Sequence, residues 1–189
     1  MGVGPLKAVF LDRDGVLNRA IVRGGKPFPP ASLEELEILP DVPAALKALK
    51  TCGFLLLVVT NQPDVARGAQ QRSVVEILHE KLRDSLPLDD FFVCYHDDED
   101  ACDCRKPKPG LLFQAAAKYG LDLPACYLIG DRWRDIEAGQ AAGCTTVWID
   151  RGYAEKGPAT APAHRSSSSA EAAQWILRRS GCPPAISEN

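Results

Sequence analysis

The sequence has no excess of positive charge: 22 lysines and arginines against 25 acidic residues leave a formal net charge of -3. No basic run and no interleaving of basic with aromatic residues offsets that balance, so neither a nucleic acid nor an anionic membrane is the expected partner. No apolar segment approaches membrane-spanning length, and Met1 to Lys7 is not a charged start leading into an apolar stretch. A spanning helix and a secretory leader are therefore not expected. Leu6 stands where an N-myristoylation signal needs Ser or Thr. The seven cysteines are odd in number and uneven in spacing, which speaks against a disulfide framework; Cys52, Cys126, Cys144 and Cys182 read as small buried hydrophobes. There is no internal repeat. The expectation left by these absences is a cytoplasmic monomer with a small-molecule partner.

What is present suits one compact domain. The 189 residues are 46% hydrophobic, enough for a full core over 1–180 with a short tail at 181–189. Four apolar runs, Ala8 to Leu11, Phe54 to Val59, Tyr127 to Ile129 and Thr145 to Ile149, have strand length and are rich in branched residues. Between them Val42-Ala45-Leu46-Leu49, Val74-Val75-Leu78-Leu82, Leu111-Leu112-Ala115-Ala116-Tyr119 and Ile136 to Ala142 keep helical spacing. Strands alternating with helices predict an α/β fold: a Rossmann-like, doubly wound parallel sheet with helices on both faces. Gly24-Gly25, Pro27, Pro29 and Pro30 predict an irregular loop over the sheet end. The Pro, Ala and Ser content of 157–169 predicts a flexible connector, with Ser166 to Ser169 as plain linker, releasing a last helix over 170–179.

The chemistry-bearing residues follow the strands. Asp12 and Asp14 sit where the first run ends, two apart in an extended chain, so both project to one side, and Gly15 lets the backbone turn there. Thr60-Asn61-Gln62 follow the second run, and Gly130-Asp131-Arg132-Trp133-Arg134-Asp135 the third. Parallel sheets bind ligands at their carboxyl ends, so these clusters converge on one crevice, joined by Arg105-Lys106-Pro107 ahead of a helix. That set suits phosphoryl transfer. Asp12 is the candidate nucleophile and Asp14 the candidate acid and base. Lys106 and Thr60 are the candidate phosphoryl-orienting groups. Asp12, the Asp14 carbonyl and Asp131 offer the hard oxygen donors that magnesium prefers. Asp135 reads as a helix cap or loop anchor.

Cys94, His96, Cys102 and Cys104 bring three thiolates and one imidazole into the loop 94–104, the donor set of tetrahedral zinc. Four protein ligands leave no open position, so the ion is expected to be structural. It would fix Cys104 and hence the reach of Arg105 and Lys106. The acidic run Asp97 to Asp100 reads as a solvated face. His79 and His164 have no partner pattern and read as structural or exposed; Trp133 and Trp148 read as packing residues.

The order D-R-D-G, T-N-Q, C-R-K-P-K-P-G and G-D-R-x-x-D over Ala8 to Asp150 resembles the haloacid dehalogenase superfamily of magnesium-dependent aspartyl phosphatases. The wider pattern is similar to the branch holding the heptose-1,7-bisphosphate 7-phosphatases and the histidinol-phosphate phosphatase domain. Ala66-Arg67-Gly68 and the cysteine–histidine loop lean toward the heptose enzymes. The resemblance implies a HAD-like fold and the roles given above for Asp12, Asp14, Thr60, Lys106 and Asp131, with Asn61 and Arg105 as substrate contacts. Arg132 stands where the heptose enzymes usually carry Lys, Pro63-Asp64 replaces their Ser-Gly, and Arg19 to Arg23 departs from their sugar-contacting stretch. Too little chain separates the motifs for a separate cap domain, so the crevice is expected to be open. Arg67 and Arg105 give more positive charge than one phosphate needs, which predicts a metabolite with a second anion. The expected activity is hydrolysis of a sugar phosphate, first a heptose bisphosphate. Histidinol phosphate is the alternative substrate, and a zinc-stabilised, non-catalytic phosphate-binding protein the alternative class. A phosphotransferase or mutase would usually want a larger lid.

Overall fold

A computed structural model of the chain describes residues 6–182. The expectations for the start at Met1 to Pro5, and for the tail beyond Cys182, lie outside the described residues. Six strands form one parallel sheet in the order β5-β4-β1-β6-β7-β8: β1 is Ala8–Leu11, β4 Leu55–Asn61, β5 Asp90–Cys94, β6 Tyr127–Gly130, β7 Thr145–Ile149 and β8 His164–Ser166. Five helices accompany them: α1 Val42–Thr51, α2 Arg72–Ser85, α3 Gly110–Tyr119, α4 Trp133–Ala141 and α5 Ser169–Arg179.

The period of two along β1 explains the layers. Val9 and Leu11 point into a core shared with α1 and α5, whereas Ala8 and Phe10 point into a second core with α3 and α4. All four residues are essentially inaccessible, which is why the strand is apolar on both faces. From β1 the chain moves outward through β4 to β5, then returns to β6 on the other side of β1 and continues to β7 and β8. The order reverses between β1 and β6, and a crevice opens beyond their carboxyl ends.

Four expectations are corrected. The loop after Gly15 holds an antiparallel hairpin, β2 (Ile21–Arg23) with β3 (Lys26–Phe28), because Gly24 and Gly25 both take positive φ and close a two-residue turn. Strand β5 was not expected; it is a half-buried edge strand whose Asp90 salt-bridges Lys118. The connector 157–169 is not uniformly irregular, since β8 lies within it and pairs with β7. Its serines are placed by hydrogen bonds: Ser168 caps α5 by accepting from the Glu171 amide, and buried Ser169 donates to the Val16 carbonyl. Finally, Cys52 and Cys182 are paired as a disulfide, their Cα atoms 6.1 Å apart, so they are not two independent hydrophobes. Cys126 and Cys144 are free and buried, as expected.

Candidate active site

Asp12 ends β1 and Asp131 ends β6, so the two carboxylates face each other across the switch point. Asp135, in the first turn of α4, reaches back to the same place. Oxygen atoms of Asp12, Asp131 and Asp135 lie within 4.8 Å of one another, and all three residues are buried. Glycine makes room for them in two places. A Cβ on Gly15 would stand 1.7 Å from Asp131 Oδ2, in a backbone with φ +87°, and a Cβ on Gly130 would stand 2.1 Å from Asp135 Cβ.

Lys106 is drawn into this acidic group. Its Nζ donates to Asp12 Oδ1 at 2.7 Å, to the Val59 carbonyl at 2.7 Å and pairs with Asp135 Oδ1 at 2.6 Å. Burial works against its charge, but Asp12 and Asp135 outweigh burial and push the Lys106 pKa up. One ammonium does not balance three buried carboxylates. Burial, reinforced by Asp135 and Asp14 against the pull of Lys106, raises Asp12 to about 6. Burial and the charges of Asp12 and Asp135 push Asp131 well above the usual carboxylate range. Asp131 Oδ2 accepts from Tyr153 Oη at 2.7 Å, while its buried Oδ1 has no partner among the described residues. An unpaired buried carboxylate oxygen inside an all-oxygen, anionic group fits a hard divalent cation such as magnesium.

Asp14 lies on the crevice wall but outside that group. Its carboxylate accepts from Arg13 Nε and Nη2, from Asn18 Nδ2 and from Gln62 Nε2, all within 3.2 Å. Burial raises its pKa, but the Arg13 charge and these hydrogen bonds overcome burial and bring it below the ordinary value. The resting Asp14 is thus an ionised carboxylate, the form suited to accepting a proton. Arg13 itself is fully buried and also donates to His79 Nε2 at 3.0 Å. Arginine has no acceptor, so His79 Nε2 must be unprotonated. His79, stacked on Phe91 at 4.8 Å between ring centroids, is therefore a partner rather than an exposed histidine.

The other expected residues divide. Thr60 is buried, and its Oγ1 accepts from Gln62 Nε2 at 2.9 Å, which leaves the hydroxyl proton free to donate elsewhere. Asn61, expected to touch substrate, lines the crevice, and its amide also clamps the Lys106 backbone: Nδ2 donates to the Lys106 carbonyl and Oδ1 accepts from the Lys106 amide. Arg67, Arg105 and Arg132 line the crevice, which has a volume of about 240 Å³. Arg132 is paired with Glu155. The hairpin supplies Lys26, Pro27 and Phe28 to the opposite wall.

Sequence reasoning missed three contributors. Asp135 reads in the sequence as a helix cap or loop anchor, and it does cap α4 by accepting from the Arg132 amide at 3.0 Å; its other oxygen holds Lys106. The signal was its place four residues after Asp131, one helical turn from the sheet end. Tyr153 and Arg151, beyond β7, fasten Asp131 and the Gly15 carbonyl and carried no signal.

The thiol cluster stands beside the crevice. Cys94 is the buried last residue of β5, and His96, Cys102 and Cys104 come from the loop that follows. The sulfur atoms are 3.2 to 3.7 Å apart, and His96 Nδ1 lies 3.3 Å from Cys104 Sγ and 3.7 Å from Cys94 Sγ. These spacings are close to the roughly 3.8 Å that separates tetrahedral ligands at zinc–sulfur bond length. The four donors fit zinc.

Residues 103–172 match the HAD-hydrolase-like family profile. The D-glycero-beta-D-manno-heptose-1,7-bisphosphate 7-phosphatase of Helicobacter pylori is 40% identical, covering 70% of this chain and 76% of its own length. The enzyme of that name from Escherichia coli is 35% identical over 90% of this chain and 87% of its own. A D,D-heptose 1,7-bisphosphate phosphatase from Bordetella bronchiseptica, solved with magnesium and phosphate, superposes with a TM-score of 0.80 at 28% identity, covering 92% of this chain and 99% of its own. With the aspartate triad, the buried lysine and the four-ligand loop in place, the chain belongs to the HAD-like phosphatases, in the family of the heptose-1,7-bisphosphate 7-phosphatases.

Proposed function

We propose that the chain removes the 7-phosphate of D-glycero-D-manno-heptose 1,7-bisphosphate, or of a close analogue, through an aspartyl-phosphate on Asp12. The observation that carries this reading is the convergence of Asp12, Asp131 and Asp135 on one point, with Lys106 paired to Asp12 and Asp135 and Asp131 Oδ1 left unpaired among the described residues. The identity to enzymes of that name supports the substrate.

In the first half-reaction an Asp12 oxygen bonds to phosphorus, the bond from phosphorus to the sugar oxygen breaks, and Asp14 gives the departing alkoxide a proton. In the second, Asp14 takes a proton from water, the water oxygen bonds to phosphorus, and Asp12 is released with inorganic phosphate. Asp12, the Asp14 carbonyl and Asp131 hold a magnesium ion, whose chemistry when bound is to neutralise the approach of carboxylate to phosphate. Asp135 keeps Lys106 in register with them. Thr60 donates its free hydroxyl proton to a phosphoryl oxygen, and Lys106 exchanges one resting contact for another such oxygen. Arg67 and Arg105 face the rest of the substrate. Asp14 rests ionised against Arg13, so its protonated turn requires that grip to loosen. Cys94, His96, Cys102 and Cys104 hold zinc in a structural role.

One functional unit over 1–180, acting as a cytoplasmic monomer, is part of the same proposal. The Cys52–Cys182 pair lies outside the residues that line the crevice. The decisive assay is phosphate release from heptose 1,7-bisphosphate and from histidinol phosphate, with and without magnesium. Magnesium-dependent release that favours the bisphosphate is expected, and Asp12→Asn is expected to lower it at least 1,000-fold. Undiminished turnover by Asp12→Asn would remove the nucleophile assignment.

A further inference from the structure

Three guanidinium groups on the crevice wall converge on one carboxylate of the zinc loop. Arg105 Nε lies 2.9 Å from Asp98 Oδ1 and its Nη2 3.4 Å from Oδ2, Arg134 Nη1 lies 3.6 Å from Oδ1, and Arg67 Nη2 lies 3.7 Å from Oδ2. These four residues come from three separate places: the turn after β4, the loop after β5 and the first turn of α4. All four line the crevice that contains Asp12. The arrangement is lopsided in exposure: the Asp98 side chain is 57% accessible, whereas those of Arg105 and Arg134 are 11% and 26%, with Arg67 at the rim at 44%. The cations are set into the wall, and the anion reaches in from solvent.

From this geometry we infer that Asp98 is a resident stand-in for the substrate's second anionic group, occupying the Arg67, Arg105 and Arg134 subsite until a second phosphate displaces it. The inference rests on the phosphatase reading above and deepens it by assigning Arg134 and Asp98 to specificity. A phosphate dianion brings twice the charge of a carboxylate and three acceptor oxygens, so it satisfies three guanidinium groups better than Asp98 does. Release of Asp98 is inexpensive in desolvation because the residue is already mostly in water. The loop can yield without losing metal ligands, since Asp97 to Ala101 lie between His96 and Cys102 and only those flanking residues belong to the four-donor cluster. A monophosphate that fills only the Asp12 end leaves Asp98 in place. The device therefore makes a second anion a condition for full affinity and excludes single anions that would otherwise lodge on the arginines.

The test compares holoenzyme loaded with magnesium and zinc in three forms: wild type, Asp98→Asn and Arg134→Gln. The quantity read is the ratio of kcat/KM for heptose 1,7-bisphosphate to that for heptose 7-phosphate. Asp98→Asn is expected to raise this ratio about fivefold and Arg134→Gln to lower it by at least as much, with zinc content confirming an intact loop. A ratio unmoved or lowered by Asp98→Asn overturns the inference, because it makes Asp98 a brace for the arginines rather than an occupant of their site. A second arm needs no heptose substrate: fructose 1,6-bisphosphate and fructose 6-phosphate are compared as inhibitors of p-nitrophenyl phosphate hydrolysis. A gain for the bisphosphate in Asp98→Asn there, with no turnover of either heptose compound, keeps the inference and removes the proposed substrate. Heptose turnover without any gain in either arm does the reverse.

Discussion

The chain builds two clusters of metal-binding type side by side, and it builds them in opposite ways. The carboxylate of Asp12 comes from one strand end, those of Asp131 and Asp135 from another strand end and the helix after it more than a hundred residues on, and all are buried. The donors Cys94, His96, Cys102 and Cys104 come from eleven consecutive residues, and His96 is exposed. The first cluster is held by the sheet, so burial and the like charges forced together there raise the pKa values of Asp12 and Asp131. The second lies on a loop braced by Lys108, which donates to the Cys102 carbonyl, and by the arginine contacts to Asp98, and a zinc ion would tie its four donors to one point. The proposed chemistry lies where the core fixes position, and the proposed recognition lies on the loop whose donors would hold a metal.

The sharpest way to break that contrast is to remove a donor from each side. Asp131→Asn is expected to lower magnesium-dependent phosphate release about 1,000-fold or more while the fold persists, checked by kcat/KM alongside far-ultraviolet circular dichroism. If the variant loses its fold instead, the sheet does not hold the acidic cluster independently. Cys104→Ser is expected to lower zinc stoichiometry and to reduce kcat/KM by about 10- to 100-fold, the scale of disturbed metal-site support, with faster proteolysis within 97–104. Full zinc and full turnover in that variant would contradict the organising role of the ion.

The smallest effect concerns the network behind Asp14. Burial, with the charge of Arg13, lowers His79 from 6.5 to about 3. Between those values the unfolded chain binds a proton that the folded chain refuses, so this contribution to stability is complete above about pH 6.5 and is lost as pH falls toward 3. His79→Gln, which keeps an acceptor for Arg13 but cannot titrate, is expected to flatten that part of the profile. Denaturant midpoints at pH 7 and pH 5 measure it; parallel losses in both proteins would show that His79 does not titrate as argued.

Legibility in the sequence followed the same division. The strand-end residues Asp12, Thr60 and Asp131 could be placed because apolar runs announce strands and a parallel sheet gathers their carboxyl ends. The thiol loop could be read because its donors are close in sequence. What escaped were contacts made across the fold. Arg13 is charged and fully buried, a combination that composition argues against, and only the joint presence of Asp14, Gln62 and His79 makes it tolerable. The grip of the Asn61 amide on the Lys106 backbone joins residues 45 apart in sequence, and nothing in the T-N-Q motif announces it. Strands β5 and β8 are short, half-exposed edges, and the serines before α5 resembled a linker because capping and burial are decided by what they meet.

Gly130 carries no functional atom and needs no unusual backbone angle, yet a single methyl group there would run far inside van der Waals contact with the Asp135 side chain. The helix would have to retreat, and Asp135 would let go of Lys106. A vacancy the size of one carbon thus governs the electrostatics of the whole centre: what the polypeptide leaves out at that point is as consequential as any side chain it supplies.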